Sequence, residues 1–488
     1  MSVPSRRWCL ILVFCASVLM HLRGISSPVL DYHHHRQCNT ASIARNFHEG
    51  GLRFLHPQID WDGGRPGFAA TEFPLYMWLI GLLWPVFFGE LWGRLLAVLC
   101  SALTAVYLFK FLEAKLGREA SFYAALLFSC VPLEIYFGRT VQPEAMALLA
   151  TIAAFHHWDL SLGPGRPLRQ WLAAVLWAFL AIALKIPYGY ILAPLAALAW
   201  VRLGRESWRD ARVLLAPVLA LAGVFAWYRY ASGGSYVVPT HAGEFRGLLE
   251  YGQLLKFVRF QFVSRFPELA ATYGGLILMF FGAREIVLRR KMRFFAAWFL
   301  SICAYIVAGG RYTFAHEYTS LPFVPVNAAF MGAGLVILRE RAAAVRPGLR
   351  RWARAGLAAL VLAIPVHGVL RIRHWYRLSH EAFLEGARVA AAVGRPGDLF
   401  VTNDRTASAA LFYLHRRGWG WDFREQGEER TWAMLEKARS EGARWLLTEK
   451  ETGFSDPSAP FARKFHERFP VVYDGGALLV FDLAGKPA

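Results

Sequence analysis

Charge is what this chain has least of. Only 18% of its 488 residues are Asp, Glu, Lys or Arg, where ordinary soluble domains carry about a quarter. With 56% hydrophobic and 15% aromatic residues and a mean hydropathy of +0.32, the deficit argues against a soluble globular protein. Cysteine is also sparse: the six, at positions 9, 15, 38, 100, 130 and 303, are scattered, five in or at the ends of apolar segments and one in a loop. That spacing excludes a disulfide framework and shows no metal motif. No Gly-rich phosphate loop opens a helix near the C-terminus, so nucleotide binding there has no support. No 20–50-residue repeat is visible, which excludes a solenoid, and no inverted repeat of the transporter kind stands out.

What is present is a series of apolar runs near the roughly 20-residue length that crosses a bilayer. They lie near 8–22, 91–110, 119–137, 142–160, 171–185, 187–202, 212–229, 268–283, 294–309, 318–338 and 355–371, about 11 spans. Residues 5–27 have a signal-peptide look, Arg6 and Arg7 before an apolar core, but with so many spans following, an uncleaved first helix is the better reading. The net charge of +19 invites nucleic acid as a partner. That reading is rejected, because the Lys and Arg residues cluster in short loops between apolar runs, as the positive-inside rule describes.

Those clusters set the expected orientation. Arg6/Arg7, Lys110/Lys115/Arg118, Arg166/Arg169, Arg202/Arg205/Arg209/Arg212, Arg284/Arg289/Arg290/Lys291/Arg293 and Arg339 to Arg354 are cytoplasmic on this rule. The loops 23–90, 138–142, 230–267 and 309–317, and everything after 371, are then external. The apolar segment 73–89 would invert this scheme if it crossed. It is short, has Pro74 and Pro85, and runs into Glu90, so a juxtamembrane or re-entrant helix is expected. The fold class is thus a multi-pass α-helical membrane protein, a module over 1–371 with the external loop 23–90, followed by a small extracytoplasmic α/β domain over 372–488. In that domain strand-like runs at 398–402, 444–448, 471–473 and 477–481 alternate with helix-like runs near 379–393, 405–416, 429–441 and 457–467.

On this topology the notable polar residues share one side. The first loop carries Asp31, His33, Arg36, Gln37 and, before Phe73-Pro74, Glu72. Ionisable groups beside a membrane default to function: Asp31 suits a general base on a hydroxyl, or else caps the helix starting near His33. His33, His34 and His35 point different ways on a helix and cannot share one ion. Arg139 precedes Gln142-Pro143-Glu144, where Pro143 suits the first helical position and Glu144 either complements the helix dipole or is a second acid of the site. Arg139 can fork onto a phosphate. Lys185 either snorkels or neutralises an anion. Arg311, His316 and Tyr318 suit a phosphate or an interfacial belt. The stretch 244–266 mixes Phe and Leu with Arg246, Lys256, Arg259 and Arg265, as a helix lying in the interface does.

An early Asp in the first external loop, followed by Phe73-Pro74-Leu75-Tyr76, resembles the GT-C class of membrane glycosyltransferases. The likeness is greatest to glycosyltransferase family 39, which includes protein O-mannosyltransferases and is similar to the lipid A aminoarabinose transferases. Arg139…Glu144 resembles the family's Arg…Asp second-loop motif, Lys185-Ile186-Pro187 its Lys-Gly-Pro-like turn, and His316-Glu317-Tyr318-Thr319-Ser320-Leu321-Pro322 its His-x-Tyr-Tyr-x-Leu-Pro segment. The likeness covers roughly residues 8–340. It implies a GT-C-like fold and a polyprenyl-phosphate-linked sugar as donor, used on the external face of a bacterial inner membrane, with a lipid, glycan or protein as acceptor. In that reading Asp31 and Glu144 are the catalytic pair, and His33, Arg36, Gln37, Glu72, Arg139, Lys185, Arg311, His316 and Tyr318 bind substrate or phosphate. Two departures, Tyr32 where the family commonly has Glu and Glu144 where it has Asp, bear on metal and acceptor, so a divalent cation, Mg²⁺ or Mn²⁺, stays an open expectation. The rival readings are a transporter or flippase of a lipid-linked glycan, and a scaffold binding partners through the C-terminal domain.

Overall fold

The computed structural model of the protein describes residues 3–69, 72–86, 89–233, 251–288, 292–404, 408–453, 456 and 458–485. Arg289, Arg290 and Lys291 of one basic cluster, and Phe245, Arg246, Leu248 and Leu249 of the expected interfacial stretch, lie outside these residues. The chain divides into two compact units. One comprises Met1–Ile25, Arg94–Tyr230 and Pro239–Trp375; the other comprises Ser26–Gly93, Ala231–Val238 and Tyr376–Ala488. The first long loop thus groups with the C-terminal segment.

The first unit is helical. Five helices among the described residues are long and apolar enough to cross a membrane: Gly89–Leu116, Ile186–Trp208, Ala211–Ser232, Phe323–Ala344 and Pro347–Arg371. A sixth crossing results if the pair Gln253–Ala271 and Tyr273–Val287, bent by 96°, counts as one. The chain is a multi-pass membrane protein. The apolar run at 119–137 is split into Arg118–Phe128 and Pro132–Phe137, because Pro132 cannot continue a helix through its own missing N–H. The helices Tyr273–Leu288 and Phe323–Ala344 touch backbone to backbone. A Cβ on Gly282 would lie 1.8 Å from the Phe330 carbonyl oxygen and one on Gly334 1.9 Å from that of Leu278. Small residues at such crossings supply the close packing that apolar solvent cannot drive. Basic helix ends are tied together: Asp159 accepts from Lys115 Nζ and from the Arg202 guanidinium, each at 2.8 Å.

Among its described residues the segment 73–89 forms the helix Leu75–Leu83, and Gly89 opens the helix Gly89–Leu116. Nine residues rise about 14 Å, too little for a hydrocarbon core of about 30 Å, so this helix does not cross.

The second unit holds a five-stranded sheet: β1 (Leu399–Asn403), β2 (Gly418–Gly420), β3 (Ala443–Glu449), β4 (Val471–Asp474) and β5 (Leu478–Asp482), in the order β2-β1-β3-β5-β4. β1 is parallel to β2 and β3, while β5 is antiparallel to β3 and β4. Val401, Leu446, Phe465 and Phe481 centre its core. The first loop completes it. Gly63 N–H donates to the Gly418 carbonyl at 2.8 Å and Gly418 N–H to the Asp60 carbonyl at 3.0 Å, so residues 60–63 cover the open edge of β2. Asp60 is fixed by Ser42 Oγ (2.7 Å), Arg45 Nη2 (2.6 Å) and Asn46 Nδ2 (2.9 Å), all on the helix His34–Glu49. Arg45 Nη1 also donates to the Phe412 carbonyl at 2.7 Å.

Candidate active site

In the helical unit, the site is built on two helix breaks. The helix Glu144–Ser161 begins at Glu144, with Pro143 one position earlier than expected, as the cap. The helix Leu168–Leu184 ends at Lys185, whose backbone is extended (φ −156°, ψ 101°), before the tight turn Ile186–Ile191 that carries Pro187. Lys185 Nζ donates to Glu144 Oε1 at 2.7 Å, with side chains 8% and 1% exposed. Lys185 thus faces a carboxylate of the chain itself in the protein interior. A buried pair of this kind holds only while both partners are present.

Lys185 Nζ also lies 5.0 Å above the Tyr318 ring, a cation–π arrangement. The Tyr318 ring stacks on His316 at 5.1 Å and 15°, its hydroxyl is 3.2 Å from that of Tyr312, and Phe137 meets it edge-on at 5.9 Å. Lys185, Glu144, Tyr318 and His316 are therefore one cluster. Arg139 is fully buried. It donates from Nη1 to the Gly24 carbonyl at 2.9 Å, and its guanidinium carbon lies 4.9 Å over the Tyr136 ring. Arg311 is exposed, on the short helix Gly310–Ala315.

Three residues of this unit escaped the sequence reading as site residues. Arg265, taken as interfacial, is buried (side chain 3% exposed) and lies 3.6 Å from Glu317. It donates to the Thr313 and Phe314 carbonyls at 2.6 Å each, which fastens the loop carrying His316. Gln142 is fully buried, and neither its Nε2 nor its Oε1 has a hydrogen-bond partner among the described residues. Glu134 is buried beside Ser101, 3.7 Å from His21 Nε2. An ionisable residue inside an apolar run is the signal that marks Glu134 and His21 in the sequence. Buried polar groups without partners are rare and call for an explanation; a polar ligand is one.

In the second unit, Asp31 is fully buried and accepts from Gln37 Nε2 at 2.5 Å. It does not cap the helix. That position belongs to His33, in the left-handed region at φ 59°, and no side-chain cap bond is made there. Gln37 also donates to the Tyr32 carbonyl at 3.1 Å, so the amide fixes the carboxylate to its own turn. Arg36 forms an ion pair with the buried Glu72. His34 turns to His380, ring to ring at 5.1 Å, and His380 Nδ1 is 2.5 Å from Glu449 Oε2. Burial, reinforced by His380, pushes the His34 imidazole down to about 4, whereas the hydrogen bond to Glu449 raises that of His380. Among the described residues no group of three His, Cys, Asp or Glu side chains is gathered to hold a metal.

Residues 69–229 match the family model of dolichyl-phosphate-mannose-protein mannosyltransferases. ArnT from Cupriavidus metallidurans, solved bound to undecaprenyl phosphate, matches at TM-score 0.65 and 13% identity over 99% of each chain. The Archaeoglobus fulgidus oligosaccharyltransferase tethered to an acceptor peptide matches at TM-score 0.60 and 12% identity over 99% of this chain and 74% of that one. The archaeal oligosaccharyltransferase AglB, in complex with an inhibitory peptide and a dolichol phosphate, matches at 0.59 and 11% over 98% and 74%. No curated protein sequence is matched. The likeness to GT-C glycosyltransferases thus extends from motifs to fold.

Proposed function

We propose that the chain is an inverting glycosyltransferase that moves a hexosyl or pentosyl group from a polyprenyl-phosphate donor to a lipid, glycan or protein acceptor, on the external face of the inner membrane. The observation that carries this reading is that the matched segment 69–229 contains Arg139, Glu144 and Lys185, two of which form the buried pair beside Tyr318.

In the proposed step the acceptor hydroxyl oxygen attacks the anomeric carbon, the bond from that carbon to the phosphate oxygen breaks, and Asp31 takes the hydroxyl proton. Polyprenyl phosphate leaves as an anion and needs little protonation. Gln37 orients Asp31, as a base must be oriented before its proton affinity matters. Glu144 positions sugar or acceptor and holds Lys185 in place. Lys185, Arg139, Arg311 and His316 supply fixed positive charge where the leaving phosphate develops its own, and His33, Arg36 and Glu72 line the substrate on the Asp31 side. Gln142, with a buried amide that has no hydrogen-bond partner among the described residues, is a further candidate for sugar hydroxyls. No step passes through Mg²⁺ or Mn²⁺, and the α/β segment is extracytoplasmic in this reading.

The test is transfer of radiolabel from a polyprenyl-phosphate sugar in membranes carrying the protein. Asp31→Asn is expected to lower transfer by roughly 100-fold or more, as loss of a general base does. Wild-type rates in that variant would end the assignment.

A further inference from the structure

A cleft of about 580 Å³ opens within the sheet-bearing unit, at the amino ends of β1 and β2. Ligands of open α/β sheets favour the opposite, carboxyl ends of the strands, so the cleft is not explained by topology. Its volume falls in the range of small-molecule sites, roughly 300–1,000 Å³. Three acids, Glu49, Asp60 and Asp398, and three arginines, Arg45, Arg416 and Arg417, line it, but their hydrogen bonds are unevenly shared. Arg45 is engaged by Asp60 and the Phe412 carbonyl. Glu49 takes His415 Nε2 at 2.7 Å. Asp398, which faces Arg416, accepts from Trp445 Nε1 and from the Arg395 N–H, each at 2.9 Å.

Two cations remain. Arg416 donates from Nη1 to the carbonyl of its own neighbour His415 at 2.9 Å, and its Nε is buried with no hydrogen-bond partner among the described residues. Arg417 reaches Gln58 Oε1 at 3.3 Å, a weak bond. His415, at φ 55°, a conformation non-glycine residues adopt infrequently, turns the chain out of the helix Ser408–Leu414 and leads both arginines directly into β2.

We propose that this cleft binds a phosphate monoester carried on a saccharide, with Arg416 and Arg417 as its donors. Guanidinium groups match phosphate in planar, forked pairs, and the polar walls suit a ligand rich in hydroxyls. A soluble sugar phosphate and the phosphorylated headgroup of a glycolipid present the same chemistry. The inference is independent of the glycosyltransferase reading.

The test uses the full chain in detergent and in nanodiscs. Glucose 1-phosphate, with glucose as the neutral control, is titrated calorimetrically. Nanodisc protein is mixed with vesicles of phosphatidic acid or of phosphatidylcholine. Wild type is expected to bind glucose 1-phosphate but not glucose if the ligand is soluble, or to prefer phosphatidic acid vesicles if it is lipid-borne. The double variant Arg416→Ala/Arg417→Ala should weaken whichever interaction is seen by roughly tenfold or more. Arg416→Lys/Arg417→Lys, which keeps the charge and controls for folding, should weaken it less. Equal binding by wild type and the double alanine variant, or no preference of wild type for either phosphate probe, overturns the proposal.

Discussion

Asp60 and Glu144 are both buried acids, and they are held differently. Asp60 collects three side-chain donors, Ser42, Arg45 and Asn46, from successive turns of one helix. Glu144 meets Lys185 across 41 residues of chain, through a helix break that Pro187 enforces. Around Asp60 three side-chain donors match the carboxylate oxygens, although Arg45 Nε has no hydrogen-bond partner among the described residues, and the cluster clamps the first loop to the edge of β2. Around Glu144, Gln142 buries a whole side-chain amide with no hydrogen-bond partner among the described residues. Burial of an acid alone therefore does not mark a site; a neighbouring side chain left wholly unmatched, as Gln142 is, sets Glu144 apart from Asp60.

The sharpest way to break this comparison is to remove one partner of the pair. Lys185→Met should strand Glu144 and cost about 3–5 kcal/mol, read as a fall in the unfolding midpoint in detergent. Adding Glu144→Leu should restore most of that stability without restoring transfer. Recovery of transfer in the double variant would make the pair scaffold, like Asp60. A smaller effect is expected at the sheet edge. A Cβ on Gly418 would fall 1.7 Å from the Phe400 carbonyl oxygen, so Gly418→Ala should cost about 1–3 kcal/mol by overpacking. An unshifted melting midpoint would show that the loop clamp on β2 contributes little.

A further effect is a pH dependence. His34 has its proton affinity lowered in the folded chain, from 6.5 to about 4. Its contribution is present above pH 6.5 and is lost as pH falls toward 4, because the unfolded chain takes up a proton that the folded chain resists. Replacing His34 by Gln should flatten that acid limb of the stability curve. An unchanged limb would assign it to other groups.

Four of the five strands were legible to within a residue or two, since their apolar runs are bounded by polar turns. β2 was not: Gly418-Trp419-Gly420 carries no alternation and is a strand only because β1 and the 60–63 loop lie on either side. The crossing helices were legible as apolar runs, though not their breaks at Pro132. Arg265 was misplaced because residues Arg259–Ala271 form a π-helix, whose wider turn shifts every side chain from the face that a 3.6-residue period assigns. Asp31, Glu144, Lys185 and His316 stood out as polar residues beside apolar runs. Their partners Gln37 and Tyr318 stood out with them, but Arg265 did not, because it reaches the His316 loop only through the π-helical stretch.

Sidedness tests the proposal most directly. Single cysteines at the exposed positions Leu55, Phe314 and Val472, with Trp208 as the opposite control, would be placed in a cysteine-free background and labelled in whole cells with an impermeant thiol reagent. Labelling at 55, 314 and 472 but not at 208 is the predicted result, placing the Asp31 loop, the His316 loop and the sheet on the external side. Labelling at 55 without 314 would put Asp31 and the Lys185–Tyr318 cluster on opposite sides of the membrane and contradict the transferase mechanism.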